Sequence, residues 1–566
     1  MAAFLNFLVN LWRMLGNAWR RLLSRPPDFV WIEVSGTLPE FETPVGFLRK
    51  RLARGPAPVT LQALRERLQR ISDDGRVRGV VLRIKDLEAG WAALEEARGE
   101  VAAFRSRGGR AVSYLADPVD TPSYYVASAA DEILVAPLVT VGVTGVRTRV
   151  NFLRDALDRL GVGAEVVAVS PYKSAGERFT RNDFSEEARE QAQRLVNGRY
   201  DELVRAMRES RGLSAEEAHD KIAGAPYGPK DALSARLVDG VCYEDALPAR
   251  LAEGSAEPRI VEWKAANRAL KRPYRPAARR RVGVVRVSGA IVRGKSRRSP
   301  VPLPFLGGER AGSESVVAAL RAAEGSRRVA AVLLNVDSPG GDALASDLIW
   351  REVERVSARK PVVVLMGNVA ASGGYYVSAP ASHVVARRAT ITGSIGVITI
   401  RPFADRLLEN LGVHPVGLER GRRAGLLDPS RRPTEDELRV LERQIGLVYE
   451  EFKDRVLRGR GLSELDGLAG GRVWSGAEAL ERGLVDGVGG FREAFRKACE
   501  LGGIGDASSA DVLVGMPVPR AGRLPPGKPV GTIDEVVDGF VDGLRREVRD
   551  LRGVWAMGPY DFYDGW

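Results

Sequence analysis

The sequence predicts an α/β protein built from two tandem copies of one domain, each arranged around a largely parallel β-sheet. Three observations predict this fold class. The chain has 566 residues, more than a single hydrophobic core usually serves; short β-branched runs alternate with helical stretches; and the second half repeats the first. Hydrophobic residues make up 44% of the chain and charged residues 28%, a composition typical of folded globular proteins that argues against a disordered chain.

The alternation of strands and helices is clearest in the second half of the chain. The runs "GVVRVSG", "VAAVLLNV", "PVVVLM" and "HVVA" are separated by the helical stretches "ESVVAALRAAE" and "ALASDLIWREVERVSAR". Parallel strands need a long return connection, and a helix commonly supplies it. The pattern therefore predicts crossover units around a parallel sheet.

The internal repeat sets the predicted domain boundaries. The stretch "YYVASAADEILVAPLVTVGVTGV" from Tyr124 matches "YYVSAPASHVVARRATITGSIGV" from Tyr375, and "LVDGV" occurs at Leu237 and again at Leu484. We predict one domain over residues 28–255, a basic linker over 256–280 and a second domain over 281–505. Residues 506–566 form a tail of unassigned role, in which "TIDEVVDGFVDGLRREVRDLRGVW" predicts an amphipathic helix.

Residues 1–27 are predicted to form an amphipathic helix that associates with a membrane. Apolar residues recur every three or four positions, as on one face of a helix: Phe4, Leu8, Leu11, Leu15, Trp19 and Leu22. Arg13 interrupts the roughly 20 apolar residues that a spanning helix needs, and neither flank fits a cleavable secretory signal. An interfacial helix is favoured, with docking on the protein itself or on a partner subunit as the alternative.

Charge and rare residues narrow the possible chemistry. Lys and Arg number 85 and Asp and Glu 73, a net charge of +12, which favours a membrane surface over nucleic acid because no zinc-finger or RNA-binding signature accompanies it. A solvated basic face is the alternative. Cys242 and Cys499 cannot make a disulfide framework. None of the three histidines stands in a readable motif, so a hydrolase here needs a base other than imidazole.

Two glycine-rich turns in the second copy could carry chemistry. Pro339, Gly340 and Gly341 follow a predicted strand, where small residues let backbone N–H groups receive an oxyanion, although such a turn is often only structural. Ser372 follows the strand "PVVVLM" and precedes Gly373 and Gly374, which leave room for a substrate carbonyl. The alternative role for that serine is a helix cap.

Comparison of the two copies favours chemistry over capping. The first copy has Thr121 where the second has Ser372, so the matched scaffold is kept while the Ser-Gly-Gly sequence occurs once. The first copy has its own distinct feature, Lys173, near a place where the second has Arg422 or Arg423. A buried lysine can lose its proton, whereas an arginine cannot. Ser372 is thus a candidate nucleophile and Lys173 a candidate base, with a surface lysine as the alternative.

Four motifs together resemble the signal peptide peptidase A (SppA) family in its long, duplicated form. They are "YKSAGERFTRNDFSEEARE", "SPGGDALASDLIW", "VAASGGYYVSAPA" and "TITGSIGV", and the similarity covers about residues 29–500. The resemblance implies a ClpP/crotonase-like fold, with Ser372 as nucleophile and Lys173 as base. It also implies that Ser394 orients the lysine, and that Gly341 with Gly340 forms the oxyanion hole beside Gly373 and Gly374.

The resemblance further implies a membrane-associated endopeptidase of the bacterial inner membrane that degrades residual signal peptides without metal or organic cofactor. Because members of the family assemble into homo-oligomers, the resemblance also implies a homo-oligomer, commonly a tetramer for the duplicated form. This chain departs from the family at Arg13, where a spanning helix is usual, which leaves open the mode of attachment and the side of the membrane. A crotonase-like acyl-CoA enzyme and a non-catalytic membrane scaffold are the alternative functions.

Overall fold

The computed structural model describes residues 2–23, 25–42, 59–252, 256–274, 280–298, 308–505, 511–514 and 554–557. The chain divides into two compact units. The first comprises Met1–Thr148, Val196–Ala278 and Tyr563–Trp566, and the second comprises Arg149–Leu195 and Arg279–Phe562.

The strands are numbered along the chain: β1 Phe29–Gly36, β2 Gly79–Leu87, β3 Arg110–Leu115, β4 Glu132–Val135, β5 Gly163–Ala168, β6 Gly240–Val241, β7 Ile260–Glu262, β8 Arg281–Ser288, β9 Ala290–Val292, β10 Arg297–Arg298, β11 Glu309–Gly312, β12 Val329–Ser338, β13 Gly340–Asp342, β14 Val362–Ala371, β15 His383–Ala386, β16 Ile391–Gly393, β17 Ile398–Phe403, β18 Val473–Ser475, β19 Gly487–Val488, β20 Asp511–Val514 and β21 Val554–Met557.

The α-helices are α1 Ala2–Leu23, α2 Leu61–Asp74, α3 Trp91–Arg105, α4 Thr121–Ala127, α5 Arg154–Arg159, α6 Glu177–Thr180, α7 Glu186–Arg211, α8 Ala215–Ala223, α9 Pro229–Ser234, α10 Leu247–Arg250, α11 Trp263–Ala269, α12 Ser313–Gly325, α13 Ala343–Ser357, α14 Gly373–Ser378, α15 Asp405–Asn410, α16 Glu435–Arg460, α17 Gly476–Glu481 and α18 Phe491–Leu501. Short 3₁₀ turns occupy Ser174–Gly176 and Glu244–Ala246.

Both units contain the parallel sheet that the sequence predicts. In the first unit the strand order is β6-β4-β3-β2-β1-β7, and neighbouring strands are parallel. In the second unit the order is β18-β16-β14-β12-β8-β20, with β15 beside β14 and β19 beside β15. These pairs are parallel except for β16 with β18. The predicted α/β class with two tandem domains is therefore confirmed.

The duplication is visible in matching hydrogen bonds. The hydroxyl of Tyr124 donates to the carbonyl oxygen of Leu237 at 2.9 Å, and the hydroxyl of Tyr375 donates to that of Leu484 at 2.8 Å. All four residues are 0% exposed. Because a buried hydroxyl needs a hydrogen-bond partner, the equivalent tyrosine of each copy anchors the equivalent "LVDGV" segment.

The second unit also contains a sheet that includes part of the first predicted domain. Its order is β10-β11-β9-β13-β21-β17-β5. Strand β5 pairs antiparallel with β17 from Gly163↔Phe403 to Ala168↔Ile398. This ladder attaches the Arg149–Leu195 segment to the second unit, so Lys173, predicted within residues 28–255, folds with the second copy.

The predicted linker and tail contribute to the sheets. Within residues 256–280, β7 pairs with β1 and α11 follows it. Residues 532–553, most of the helix predicted in the tail, lie outside the described residues. Strand β21 pairs antiparallel with β13 and with β17, which places it between them.

Helix α1 contacts its own unit through its polar residues. Arg13 donates to the carbonyl oxygen of Pro273, and the Asn17 amide exchanges hydrogen bonds with the backbone of Arg272 at 2.8 and 3.0 Å. The apolar face points outward, with Trp12 77% and Trp19 67% exposed. Within the described ranges, we find no helix with the length and hydropathy that a bilayer crossing requires.

Candidate active site

Ser372 stands at the turn between β14 and α14. Its backbone has φ 55° and ψ −116°, a region that L-residues rarely adopt. Its side chain makes no capping hydrogen bond to α14, although its backbone N–H donates to the Gly393 carbonyl oxygen at 2.8 Å. The capping alternative therefore does not describe Ser372. Strain of this kind is typical of residues held for function.

The matching turn in the first copy is an ordinary helix start. Helix α4 begins at Thr121, and Asp120 caps it with φ −93°, its side chain accepting a hydrogen bond from the Ser123 N–H. Unlike Ser372, the residue at the start of this turn has extended backbone and a satisfied cap. The two copies thus keep the strand-turn-helix unit and differ in the conformation of the turn.

Lys173 reaches Ser372 from the loop after β5. Its Nζ lies 2.8 Å from Ser372 Oγ, 2.9 Å from Ser394 Oγ and 2.9 Å from the Ser394 carbonyl oxygen. Lys173 is 1% exposed, and both serines are 0% exposed. Burial holds the pKa of the Lys173 ammonium well below its ordinary value, because a charged amine loses its hydration there.

The three contacts suit a neutral amine. A neutral lysine has two N–H donors and one lone pair. The Ser394 carbonyl oxygen can only accept, so it takes one N–H, and Ser394 Oγ can take the second. The lone pair is then available for the hydroxyl proton of Ser372, which is the arrangement a general base needs.

The residues near the matching place in the second copy have a different environment. Arg422 and Arg423 have side chains 79% and 41% exposed, and both pair with Asp436, at 3.3 and 3.2 Å. They stay on the surface with a carboxylate partner. The lysine of the first copy is thus buried, whereas the arginines of the second copy are exposed cations.

Ser394 follows β16 in a strained loop. Its φ is 52°, and its backbone N–H donates to the Arg472 carbonyl oxygen at 2.6 Å. This hydrogen bond and the two contacts to Lys173 Nζ fix the residue from both sides. The position predicted for a lysine-orienting serine therefore lies in direct contact with the amine.

The Pro-Gly-Gly turn lies against the Ser-Gly-Gly turn. Gly340 and Gly341 have φ of 102° and 156°, which a glycine adopts most readily. A side chain at Gly373 would approach within 3.3 Å of the Gly341 nitrogen, and one at Gly374 within 2.5 Å of the Ser338 carbonyl oxygen. The Gly340 N–H donates to Ser338 Oγ at 3.1 Å.

Some residues near Ser372 and Lys173 were not identified from the sequence. Gly470 and Gly471 approach the Lys173 loop, and Gln191, which is 0% exposed, contacts the same loop through Tyr172 at 3.1 Å. The adjacent glycines of "AGGRVW" were a possible signal. A Gly-Gly pair, however, occurs in many ordinary turns, and only the fold brings this one to the lysine.

Comparison with known proteins gives one family. The model described as "Peptidase family S49" matches the chain twice, over residues 103–257 and 354–504. These ranges include Lys173 and Ser372.

Two curated relatives cover most of the chain. Over 507 residues it is 30% identical to "Serine protease SPPA, chloroplastic" of Arabidopsis thaliana, covering 88% of this chain and 74% of that protein. Over 454 residues it is 33% identical to "Protease 4" of Haemophilus influenzae, covering 77% and 72%. Among solved structures, a ClpP1 mutant from Listeria monocytogenes matches with TM-score 0.24 and 16% identity over 37% of this chain and 93% of that one.

Proposed function

Because this chain belongs to peptidase family S49, we propose that it is a serine endopeptidase that cleaves hydrophobic peptides, with residual signal peptides in or at the membrane as substrates. One observation carries the proposal: Lys173 Nζ lies 2.8 Å from Ser372 Oγ in a site where both groups are buried. Relatives named serine protease and protease 4 support the same class of reaction.

The catalytic cycle has two halves. Neutral Lys173 accepts the hydroxyl proton as Ser372 Oγ attacks the peptide carbonyl carbon, and the resulting ammonium gives that proton to the leaving amine. An acyl-enzyme ester remains on Ser372. Water, deprotonated by the same amine, then hydrolyses the ester and restores the free serine. Ser394 holds the Lys173 side chain in the orientation that both halves need.

Backbone donors stabilise the tetrahedral oxyanion. Gly341, with Gly340 beside it, presents the turn in which an N–H can face the developing charge, and Gly373 and Gly374 keep the two turns close. Loss of one such donor typically costs about 10²- to 10³-fold in rate. The cycle uses side chains and backbone of this chain alone, without metal or organic cofactor.

The proposed place of action is a membrane surface. Helix α1 uses polar residues to contact its own unit, which leaves Trp12, Trp19 and Leu22 exposed at 77%, 67% and 82%. Exposed Arg21 and Arg25 follow on the same segment. An outward apolar face with aromatic residues and basic neighbours suits the interface of an anionic bilayer.

The test is digestion of a synthetic hydrophobic signal peptide. Wild type should cleave it, whereas Ser372→Ala and Lys173→Met should lose almost all activity. Ser378→Ala is the matched control, because Ser378 is also a buried serine but its hydroxyl donates within α14, to the Gly374 carbonyl oxygen at 2.7 Å. Equal turnover by all four proteins would refute the dyad.

The two alternative functions give different results in the same preparation. A crotonase-like acyl-CoA enzyme would process thioesters even as Ser372→Ala, because enolate chemistry needs no serine nucleophile. A non-catalytic scaffold would show no covalent labelling by a serine-directed phosphonate. The peptidase should be labelled at Ser372 and lose labelling in Lys173→Met.

A further inference from the structure

A short segment of the second copy contacts both loops that hold the dyad's polar groups. The segment comprises Gly470, Gly471, Arg472 and Val473 and leads into β18; we call it the 470–473 segment. One loop carries Lys173 and the other carries Ser394. All three pieces belong to the second unit.

The first set of contacts secures the lysine loop. Ser170 Oγ donates to the Gly470 carbonyl oxygen at 2.5 Å, and the Arg472 guanidinium lies 3.5 Å from the centre of the Tyr172 ring. Buried Gln191 joins the two sides: its amide donates to the Tyr172 carbonyl oxygen at 3.1 Å and accepts from the Val473 N–H at 2.9 Å. The segment thus contacts Ser170 and Tyr172, which precede Lys173 in the same loop.

The closest approach is at Gly471. A side chain added there would place its Cβ 2.7 Å from Lys173 Cα, 2.7 Å from Lys173 Cβ and 2.8 Å from the Lys173 nitrogen. Real Cβ atoms essentially never come that close to backbone, so the lysine loop would have to move. The φ of Gly471 is 90°, which also favours glycine.

The second set of contacts secures the Ser394 loop. The Gly471 N–H donates to the Ile395 carbonyl oxygen at 2.8 Å, and the Arg472 carbonyl oxygen accepts from the Ser394 N–H at 2.6 Å. Two consecutive residues of the segment therefore bond the loop whose serine touches Lys173 Nζ. The distance between Lys173 Nζ and Ser394 therefore depends on the backbone atoms of Gly471 and Arg472.

We propose that Gly471 is a positioning residue of the dyad, whose missing side chain lets the 470–473 segment hold the Lys173 loop against the Ser394 loop. Gly471 lies against the backbone and Cβ of Lys173, away from its Nζ. It acts through the backbone of Lys173, fixing where the amine meets Ser372 Oγ. The inference rests on the proposed function, since it assigns a role within that site.

The chain offers a matched pair of variants. Gly471→Ala adds a methyl group against Lys173, whereas Gly467→Ala adds one where no atom lies within 4 Å, at a φ of 71°. Both variants impose a similar left-handed backbone penalty, so they differ mainly in the contact with the lysine loop. We expect Gly471→Ala to lower kcat about 100-fold, because a misplacement of about 1 Å can cost that much, and Gly467→Ala to stay near wild type.

The pH profile separates positioning from general damage. A displaced amine gains access to water, so its pKa should rise toward the ordinary value. The acidic limb of kcat/KM should then move to higher pH in Gly471→Ala and stay in place in Gly467→Ala. If the two variants share the same kcat and the same acidic limb, the positioning role is wrong.

A second pair covers the case in which Gly471→Ala does not fold. Ser170→Ala combined with Gln191→Leu removes two anchors of the lysine loop and leaves the glycine in place. We expect it to lower kcat at least about 10-fold, since the geometry of a bound base controls proton transfer. Ser170→Thr keeps the hydroxyl and should keep kcat. An unchanged kcat in the double variant would overturn the proposal.

Failure of this proposal and failure of the proposed function give different results. If wild-type cleavage does not depend on Ser372, the peptidase assignment itself is wrong. If cleavage depends on Ser372 and Lys173 while Gly471→Ala behaves like Gly467→Ala, the peptidase stands and only the positioning role fails.

Discussion

Ser372 adopts a backbone conformation that suits a glycine better than a serine. With φ 55° and ψ −116°, the residue carries strain of roughly 1–3 kcal/mol. A Ser372→Gly variant relieves that strain, although the freer unfolded chain offsets about 0.4–1 kcal/mol of the gain. We therefore expect Ser372→Gly to be inactive but about 1 kcal/mol more stable than Ser372→Ala in denaturant unfolding. Equal stability of the two variants would show that the turn is relaxed.

The lowered pKa of Lys173 predicts a pH-dependent stability. Between its folded pKa and the unfolded value of about 10.4, the unfolded state binds more protons than the folded state. The free energy of unfolding should therefore rise with pH across this window. Lys173→Met should lack that slope and be more stable than the wild type at neutral pH, because it has no amine to deprotonate on folding.

Thermal unfolding at several pH values checks this prediction. Lys360→Met gives a comparison with a weaker effect of the same sign, because partial burial also lowers the pKa of the Lys360 ammonium, which keeps hydrogen bonds to the Ala323 and Ser326 carbonyl oxygens. If the wild type and Lys173→Met change in parallel with pH, the amine is charged in the folded state and cannot act as a base.

Helix α1 shows how one element can present two chemically different faces. Asn17 is 6% exposed against its own unit, whereas Trp12 is 77% exposed. Trp12→Asp should weaken binding to vesicles of anionic phosphatidylglycerol at least about 10-fold, because burial of a large apolar side chain contributes about 1.5–3 kcal/mol. Leu138→Asp, at a residue 94% exposed elsewhere in the same unit, should bind as wild type. An equal loss of vesicle binding in both variants would show that net charge, and not the apolar face of α1, controls the binding.

Strand β21 lies between β13 and β17 and covers one side of β13, beside the proposed oxyanion donor. Gly341 pairs with Ala556 of β21 on one side and with Ile291 of β9 on the other, so a peptide that pairs with β13 from the β21 side must displace β21. Trp555 pairs with Asp342 and with Ile398, and Trp555→Pro removes its N–H from the ladder.

We expect Trp555→Pro to lower KM severalfold without changing kcat, because a larger fraction of molecules has the edge open to peptide. Trp555→Ala keeps the N–H and is the control for the side chain. A KM that is the same in wild type and Trp555→Pro would mean that substrate does not use this edge of β13.

At the scale of the whole molecule, we predict the oligomeric state. The family resemblance leads us to propose a homo-oligomer, with four copies of the chain. Mass photometry of the detergent-solubilised protein should give a species of four times the mass of one chain. A species that remains at one chain mass at every concentration would contradict the proposal.

The sequence determined the architecture because its signals are local or repeated. Alternating β-branched and helical runs specify strands and crossover helices within a few residues of one another. The duplication then allowed the two copies to be compared, and a serine and a lysine each stood out where the partner copy has another residue. Motifs of this kind can be read without knowing which parts of the chain meet.

Only the tertiary structure decided which residues complete the site. The β5–β17 ladder places Lys173 in the second unit, 199 residues before the serine it contacts. The left-handed turn of Ser372 and the close approach of Gly471 to the lysine backbone arise from packing between distant segments. No local propensity encodes such contacts, because the free energy that fixes them comes from burial and hydrogen bonding across the fold.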